Sequence, residues 1–323
     1  MSEAVSSLPE VFVSRLREII PPAFWPAVVQ SFQAPKRVSA RVNTLLVSPQ
    51  PVIDELRQAG LRLEPISWLE GAFSIPAAQR QELVSHPRCR DGHIYIQNAS
   101  SMLVPVVLAP RPGEQVLDLA AAPGGKTLQI AAMMNDTGYL AAVEAVRARF
   151  FRLKRNLEHH GVTCARLFLA DGTGVGRKVP ERFDRVLLDA PCSSEGRFHC
   201  GDARSWQHWR PAKNREMARK QKRLLGSAVD SLKPGGVLVY ATCSFAPEEN
   251  EAVVDHVLRR CGPTLAVSDV ALPEVPCQPG LTVWNKHRFD PRLRQARRIL
   301  PDERYDGFFI CRLRKVANPI AHQ

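Results

Sequence analysis

The stretch Asp118-Leu-Ala-Ala-Ala-Pro-Gly-Gly-Lys-Thr127 decides the fold of this 323-residue chain. It continues a strand-like run, Gln115 to Leu119, and leads into an amphipathic run, Lys126 to Met134, that is typical of a helix. Glycines between a strand and a helix let backbone N–H groups approach a ligand at the helix N-terminus. The sequence therefore predicts a ligand-binding loop after the first strand of a sheet.

Strands and helices alternate for most of the remaining chain. The predicted strands are 139–143, 166–169, 183–188 and 236–241, and the predicted helices are 146–160, 214–232 and 248–260. This alternation predicts an α/β fold with a doubly wound, mostly parallel, Rossmann-like sheet. We expect a late strand, Phe308 to Leu313, to lie antiparallel at an edge of that sheet.

The N-terminal part of the chain has the pattern of a smaller α/β unit. A helix is predicted from Leu8 to Ile20, a strand from Arg41 to Val47 and a helix from Val52 to Ala59, and Leu61 to Trp68 is strand-like but interrupted by Pro65. We expect residues 1–91 to form this small domain, 92–316 the larger domain and 317–323 a tail.

The chain is strongly basic, with 44 Lys and Arg against 32 Asp and Glu, a net charge of +12. Such a surplus suits a polyanion, because phosphate contacts supply most non-specific affinity for nucleic acids. The run Arg197 to Arg223 contains nine basic and two acidic residues, and Arg215, Arg219 and Arg223 recur at helical spacing. Aromatic rings are interleaved with the basic residues in this run, at Trp206, His208 and Trp209 before Arg210, and such rings can stack on RNA bases. A second basic run, Lys286 to Arg298, also favours RNA.

The eight cysteines contain no CxxC pair, so the sequence predicts neither a zinc ribbon nor any other metal site. A disulfide scaffold is not expected in a chain of this length. The N-terminus lacks the pattern of a signal peptide, and no apolar run approaches the length of a membrane span. We expect a cytoplasmic monomer with reduced thiols and no membrane partner.

Three ligands compete for the glycine loop. A dinucleotide would require GxGxxG, and the P-loop of a nucleotide hydrolase would require a glycine where Ala120 stands. The third ligand is S-adenosylmethionine, whose carboxylate can bind the helix N-terminus. Glu144, at the end of the second strand, is spaced to bind its ribose, and Asp171, after the third, to accept from its adenine amino group.

Two cysteines follow neighbouring strands at the edge where open α/β sheets bind ligands. Cys192 lies in Asp189-Ala-Pro-Cys192, and Cys243 lies in Thr242-Cys-Ser244. A thiolate that adds to carbon 6 of cytosine makes carbon 5 nucleophilic towards a methyl donor, and a second thiol can assist release of the product. Asp189 is positioned to hydrogen-bond N3 of the base. The spacing does not decide which cysteine attacks.

The chain resembles the NOL1/NOP2/Sun family of RNA 5-methylcytosine methyltransferases. The stretches that carry the resemblance are Arg41-Val-Asn-Thr44, Gln97-Asn-Ala-Ser-Ser101, Ala120 to Lys126, Asp189 to Cys192, Thr242 to Ser244, Glu248-Glu-Asn-Glu251 and Asp306-Gly-Phe-Phe309. The resemblance implies a Rossmann-like catalytic domain with an N-terminal RNA-recognition-like domain. It also implies that Cys243 is the nucleophile, that Cys192 assists product release and that Asp189 engages the base. The residues that it implies for the cofactor are Ala120, Ala121, Ala122, Pro123, Gly124, Gly125, Lys126, Glu144, Arg149, Asp171 and Asp189.

The chain departs from the family pattern in three places. Ser194 stands where the family often has glycine, the segment Phe198-His-Cys-Gly-Asp202 is unusual and is expected to alter the base pocket, and the C-terminal domain of longer relatives is missing. Ribosomal RNA is the favoured substrate and transfer RNA the alternative. A silent S-adenosylmethionine-binding RNA assembly factor, a P-loop hydrolase and a DNA methyltransferase that attacks through Cys192 are the rival functions.

Overall fold

The computed structural model describes residues 7–272 and 274–316, so the predicted tail, 317–323, lies outside the described residues. The helices are α1 (Glu10–Ile19), α2 (Trp25–Ser31), α3 (Pro49–Gln58), α4 (Arg80–Ser85), α5 (Pro87–Arg90), α6 (Ala99–Leu108), α7 (Gly125–Met133), α8 (Arg147–His159), α9 (Val175–Lys178), α10 (Pro211–Ser231) and α11 (Glu251–Cys261). The first strands are β1 (Val38–Val42), β2 (Glu64–Pro65), β3 (Ala72–Ile75), β4 (Ile94–Ile96), β5 (Gln115–Asp118), β6 (Tyr139–Glu144), β7 (Ala165–Leu169) and β8 (Phe183–Asp189). The later strands are β9 (Leu232–Thr242), β10 (Leu265–Ser268), β11 (Cys277–Pro279), β12 (Val283–Trp284), β13 (His287–Arg288), β14 (Arg297–Ile299) and β15 (Phe308–Lys315).

A nine-stranded sheet forms the larger part of the molecule, in the order β11-β14-β15-β9-β8-β5-β6-β7, with β10 also paired to β15. The strands β5 to β9 run parallel, which confirms the predicted Rossmann-like sheet. The order reverses between β5 and β8, so this is the switch point at which such sheets bind ligands. The strand β15 is antiparallel as predicted, but the prediction that it lies at an edge is wrong because β14 extends the sheet beyond it.

A four-stranded antiparallel sheet, β2-β3-β1-β4, forms the core of the small N-terminal unit. The predicted strand from Arg41 to Val47 is wrong in its bounds, because Asn43 turns the chain directly after β1 and donates to the carbonyl oxygens of Gly92 and His160. Only two residues of the predicted strand 61–68 pair. The strand β4 pairs with β1, so the small sheet extends past the domain boundary predicted at residue 91.

One buried arginine joins the small sheet to the glycine loop. Arg41, on β1, donates to Gln97 at 3.1 Å and to the carbonyl oxygen of Gly125 at 3.0 Å. Burial lowers the pKa of this guanidinium to about 10. The small unit therefore holds the first turn of α7 in place.

Candidate active site

A cavity of about 480 Å³ opens at the carboxyl ends of β5, β8 and β9. Its volume is in the range of small-molecule sites. The two cysteines, Asp189 and most of the glycine loop line it together. The end of β4, the turn after it and the first turn of α6 also line the cavity, through Tyr95 to Asn98 and Ser101.

The backbone of the glycine loop is shaped for close approach. Gly124 has φ +113°, in the left-handed region that favours glycine, and it precedes the first turn of α7. A Cβ atom at Gly125 would lie 2.7 Å from the Tyr95 ring, so only glycine fits there. Six of the loop's predicted cofactor residues line the cavity, namely Ala120, Ala121, Ala122, Pro123, Gly125 and Lys126, and Gly124 is outside the lining.

Asp118 is a site residue that the sequence analysis missed, although it begins the decisive stretch. Its Oδ2 accepts from the Thr127 hydroxyl at 2.7 Å, while its buried Oδ1 has no hydrogen-bond partner among the described residues. Burial raises the pKa of this carboxyl to about 6. An unpaired carboxylate oxygen at the wall of this cavity fits the ammonium group of S-adenosylmethionine, beside backbone N–H groups that fit its carboxylate.

Lys126 is buried and holds Asp189. Its Nζ donates to Asp189 Oδ2 at 2.7 Å and to the Ser101 hydroxyl at 2.6 Å. A fixed ammonium group at one carboxylate oxygen orients the other, and Asp189 remains part of the cavity wall. This contact gives Lys126 a task other than the cofactor contact predicted for it.

The two cysteines lie next to each other, with their Sγ atoms 3.3 Å apart. The hydrogen bond from Cys192 lowers the pKa of Cys243 to about 7, and the charge of Arg197 acts in the same direction against the effect of burial. The same hydrogen bond, together with burial, raises the pKa of Cys192 well above its ordinary value. Cys243 is therefore the thiol that ionises first.

Arg197 is a second residue that the sequence analysis did not place in the site, because it was counted only as part of a basic run. Its exposed side chain lines the cavity. The guanidinium group forms no hydrogen bond or salt bridge with any residue that the structure describes. The charge of Cys243 is the first cause that raises the pKa of Arg197, and Asp189 adds to it. The cavity thus contains a cation close enough to stabilise the Cys243 thiolate.

Two buried carboxylates tie the loop of Cys192 to the loop of Cys243. Glu195 accepts from the backbone N–H groups of Phe245 and Ala246 at 2.9 Å each. Glu249 accepts from the backbone N–H of Ser193 at 3.0 Å, and its pKa is raised by burial and by the charge of Glu195.

The side chain of Asn214, at the start of α10, donates to both carboxylates, at 2.6 Å to Glu195 and 2.8 Å to Glu249. The Ser244 hydroxyl lies between the same two groups, 3.1 Å from Glu195 and 3.0 Å from Glu249. This network fixes the relative position of the two thiols through a chain of short hydrogen bonds.

Ser194 has φ +62°, in the left-handed region. A non-glycine residue there costs about 1 kcal/mol or more, which explains the glycine that the family often has at this position. None of the residues of the unusual segment after it, Phe198 to Asp202, lines the cavity. Phe198 packs instead against Phe12 of α1, and Cys200 donates through its backbone to Phe32, so this segment holds the N-terminal helices.

Three predicted cofactor residues flank the loop. Arg149 lines the cavity and donates to the Ala122 carbonyl oxygen at 2.6 Å. Glu144 is buried at the end of β6, 3.7 Å from Arg149, and is outside the lining. Asp171 lies beyond β7 and caps the following turn through the Thr173 N–H, so it too is outside the lining.

The predicted RNA surface is only partly present. Arg215, Arg219 and Arg223 are exposed on α10 as expected. Of the residues predicted to interleave, His208 and Arg210 are exposed. Trp206 and Trp209 are half-buried against the apolar cluster around Phe12, and Trp209 donates to Glu195 at 2.9 Å.

The second basic run is partly structural. Arg292, Arg297 and Arg298 pair with carboxylates, and Arg298 and Glu251 are almost completely buried. In 7–272 and 274–316, no cluster of side chains could hold a metal ion, and no helix is long and apolar enough to cross a membrane.

The chain matches known RNA methyltransferases over almost its whole length. Residues 105–314 match the family described as 16S rRNA methyltransferase RsmB/F, and residues 8–99 match the N-terminal domain of 16S rRNA methyltransferase RsmF. The ribosomal RNA small subunit methyltransferase F of Vibrio vulnificus (strain YJ016) is 38% identical over 316 residues, which cover 96% of this chain and 65% of that protein. The chain thus spans just under two thirds of such relatives.

A second relative is nearer in length. The tRNA (cytosine(49)-C(5))-methyltransferase of Pyrococcus abyssi is 41% identical over 287 residues, covering 87% of this chain and 89% of that protein. Among solved structures, a methyltransferase homologue from Pyrococcus horikoshii has a TM-score of 0.84 and 31% identity, and the match covers 98% of this chain and all of that one.

Proposed function

Since this chain belongs to the RsmB/F family of 16S rRNA methyltransferases, the group that the NOL1/NOP2/Sun motifs predicted, we propose that it methylates carbon 5 of a cytosine in RNA. The observation that carries this proposal is the thiol pair beside Asp189. One thiol has a lowered pKa and the other a raised pKa, and their Sγ atoms are 3.3 Å apart. The activity belongs to the cytoplasm, where thiols stay reduced.

S-adenosylmethionine supplies an electrophilic methyl group when it is bound. Asp118 Oδ1 would receive its ammonium group, and the N-terminal turn of α7 its carboxylate. Glu144, Arg149 and Asp171 remain our candidates for the nucleoside end. The fold of the family and the orphaned carboxylate oxygen support this assignment.

The Cys243 thiolate attacks carbon 6 of the cytosine, forming an S–C6 bond and moving the electron pair of the C5–C6 double bond towards carbon 5 and the ring. Carbon 5 would then be nucleophilic towards the sulfonium methyl group, whose bond to sulfur would break as the bond to carbon 5 forms. Arg197 keeps Cys243 ionised, because a cation beside a thiol favours the charged form.

Asp189 acts on the base edge. N3 takes up a proton from water as negative charge accumulates there during the attack, and the resulting N3–H donates to the Asp189 carboxylate, which Lys126 holds in place. Cys192 assists the final step. It accepts the carbon 5 proton once it has lost its own to water, and the C6–S bond then breaks to return the Cys243 thiolate. Its raised pKa makes the Cys192 thiolate the stronger base of the pair.

The substrate class follows from the relatives. We favour ribosomal RNA because the Vibrio protein is named for the small ribosomal subunit, and transfer RNA is the alternative because of the Pyrococcus abyssi protein. A silent RNA assembly factor would have no use for two thiols with opposed pKa shifts.

Covalent trapping tests the assignment. A Cys192→Ala variant mixed with S-adenosylmethionine and RNA from a strain that lacks the gene should accumulate an adduct that survives denaturing gel electrophoresis. Cys243→Ala should form none, and Cys277→Ala, which alters a half-buried thiol outside the cavity, should turn over normally.

The outcomes separate the rivals. An adduct that persists without Cys243 would support attack by Cys192, the chemistry expected of a DNA methyltransferase. Bisulfite sequencing of total RNA with and without the gene would then identify the cytosine, and no changed cytosine would contradict the proposed activity.

A further inference from the structure

A second large groove, of about 760 Å³, lies outside the cavity of the thiols. Its walls are α10, α11 and the hairpin of β12 and β13. We call it the basic groove, because its lining includes five guanidinium or ammonium groups, those of Arg215, Arg219, Lys222, Arg259 and Arg288. It unites one face of the basic helix with part of the second basic run.

The charges of the basic groove are not balanced by other groups in residues 7–272 and 274–316. Its two carboxylates are already paired, Glu248 with Arg15 at 2.6 Å and Asp255 with Arg259 at 2.7 Å. The other four cations of the groove form no side-chain hydrogen bond or salt bridge with any described residue. Like charges one helical turn apart, as at Arg215 and Arg219, destabilise a helix. The arrangement therefore lacks an anion.

The basic groove adjoins the catalytic loops. The adjacent side of α10 presents Asn214 to the two buried carboxylates and Gln221 to the carbonyl oxygen of Pro191, at 2.9 Å. Glu248 lines the groove, and the next residue, Glu249, accepts from the N–H beside Cys192. A strand lying in the groove would thus run beside the loops that hold the thiols.

The groove is richer in groups for phosphate than in groups for a base, because five cations line it against the exposed side chains of Asn285 and His287. Arginine forks match phosphate oxygens, whereas base readout on RNA needs exposed aromatic faces or base-edge donors. Its tryptophan, Trp284, is buried, stacks on Arg15 and donates to Glu248 at 3.3 Å, so its ring is not free to stack on a base. Such contacts position a chain without reading its sequence.

We propose that the basic groove binds the phosphate backbone of the RNA strand that flanks the target nucleotide. The inference rests on the proposed function in one respect, that the strand in the groove leads to a target nucleotide at the thiols. Binding of the strand does not depend on methyl transfer. Other polyanions, such as an acidic protein segment or an anionic membrane, are alternatives that the experiment separates.

The test uses a fluorescein-labelled 20-residue polyuridine, which contains no cytosine. The groove variant carries Arg215→Gln, Arg219→Gln, Lys222→Gln and Arg288→Gln. The control variant removes four cations near the amino ends of β8 and β9, the opposite edge of the sheet, through Arg177→Gln, Lys178→Gln, Arg182→Gln and Arg314→Gln. Fluorescence anisotropy gives the Kd of each protein at several salt concentrations.

Each lost single-strand phosphate contact lowers the slope of log K against log salt by about 0.7. At 0.1 M salt the Kd of the groove variant should rise about 25-fold if two of its four cations contact phosphate, and about 600-fold if all four do. The control variant loses the same net charge as the groove variant, but its plot of log K against log salt should keep most of the wild-type slope.

The result fails the proposal if both variants lose the same affinity and slope, or if the groove variant keeps the wild-type slope. Tighter binding of polyglutamate or of phosphatidylserine vesicles than of polyuridine, lost in the groove variant, would assign the groove to another partner. A Cys243→Ala protein should bind polyuridine like the wild type. If the wild-type protein methylates no cytosine in RNA but still binds polyuridine through the groove, the proposed function is refuted and this inference stands.

Discussion

Removal of the Cys192 sulfhydryl should change how the alkylation rate of Cys243 depends on pH. The rate curves of the wild type and of Cys192→Ala should cross between pH 7 and pH 10. The hydrogen bond from Cys192 is the largest cause that lowers the pKa of Cys243 to about 7, from an ordinary value of 9.0. In Cys192→Ala the pKa of Cys243 should rise towards 9. The largest possible change in its reactivity follows from this difference between about 7 and 9.0.

At pH 7 the thiolate fraction is about one half for a pKa of 7 and about 1% for a pKa of 9, a 50-fold difference. A thiolate of lower pKa is intrinsically less nucleophilic, by about 8-fold over two pKa units. Wild-type Cys243 should therefore react at most about 6-fold faster than the variant at pH 7 and about 7-fold slower at pH 10.

The assay is alkylation by iodoacetamide without cofactor, with the Cys243 peptide followed by mass spectrometry between pH 6 and 10. Cys277→Ala serves as the matched control and should leave the profile unchanged. Arg197→Gln should raise the midpoint as Cys192→Ala does, because it removes the cation beside the thiol. A wild-type midpoint near 9, or rate profiles for wild type and Cys192→Ala that never cross, would refute the reasoning.

Two further predictions concern a cofactor contact and a buried ion pair. Cofactor affinity should fall below pH 6, about tenfold per pH unit at most, because Asp118 must ionise to bind an ammonium group and its pKa is raised to about 6. Calorimetric titration with S-adenosylmethionine between pH 5 and 7 measures this fall. A pH dependence that persists in Asp118→Asn would contradict the prediction. Arg298→Met should lower the free energy of unfolding by about 3 to 5 kcal/mol in urea, because it leaves the fully buried Glu251 carboxylate unpaired. Adding Glu251→Gln should restore part of that loss, and a loss below about 1 kcal/mol would count against a buried charge pair.

The sequence predicted the sheet well because its strands are apolar runs between clear turn signals. It failed where a partner comes from far along the chain. Trp209 looked like a stacking residue in a basic segment, but Phe12 packs against it from α1. Arg298 looked like part of an RNA surface, but Glu251 neutralises it from α11. No local pattern contains such contacts, which bury Arg298 and half-bury Trp209.

In the candidate active site, too, the sequence could not predict contacts between residues that are far apart in the chain. The sequence could place Cys192 and Cys243 at one edge of the sheet, because the carboxyl ends of parallel strands meet there. It could not place Arg197 or the orphaned oxygen of Asp118 at the cavity, since both depend on how loops fold back over the strands. Asp118 had a signal, its position at the end of the first strand, and Arg197 had none beyond its charge.

Two chemically identical thiols receive different roles from their surroundings. Proximity alone is symmetric, since the 3.3 Å between the Sγ atoms is the same for both. The hydrogen bond between them breaks the symmetry, because it is the largest cause that lowers the pKa of Cys243 and the largest that raises the pKa of Cys192, and the charge of Arg197 adds to the lowering. Neighbouring groups whose pKa values are pushed apart are the usual sign of divided acid and base tasks. Glu195 and Glu249 hold both loops and so keep the two thiols in contact.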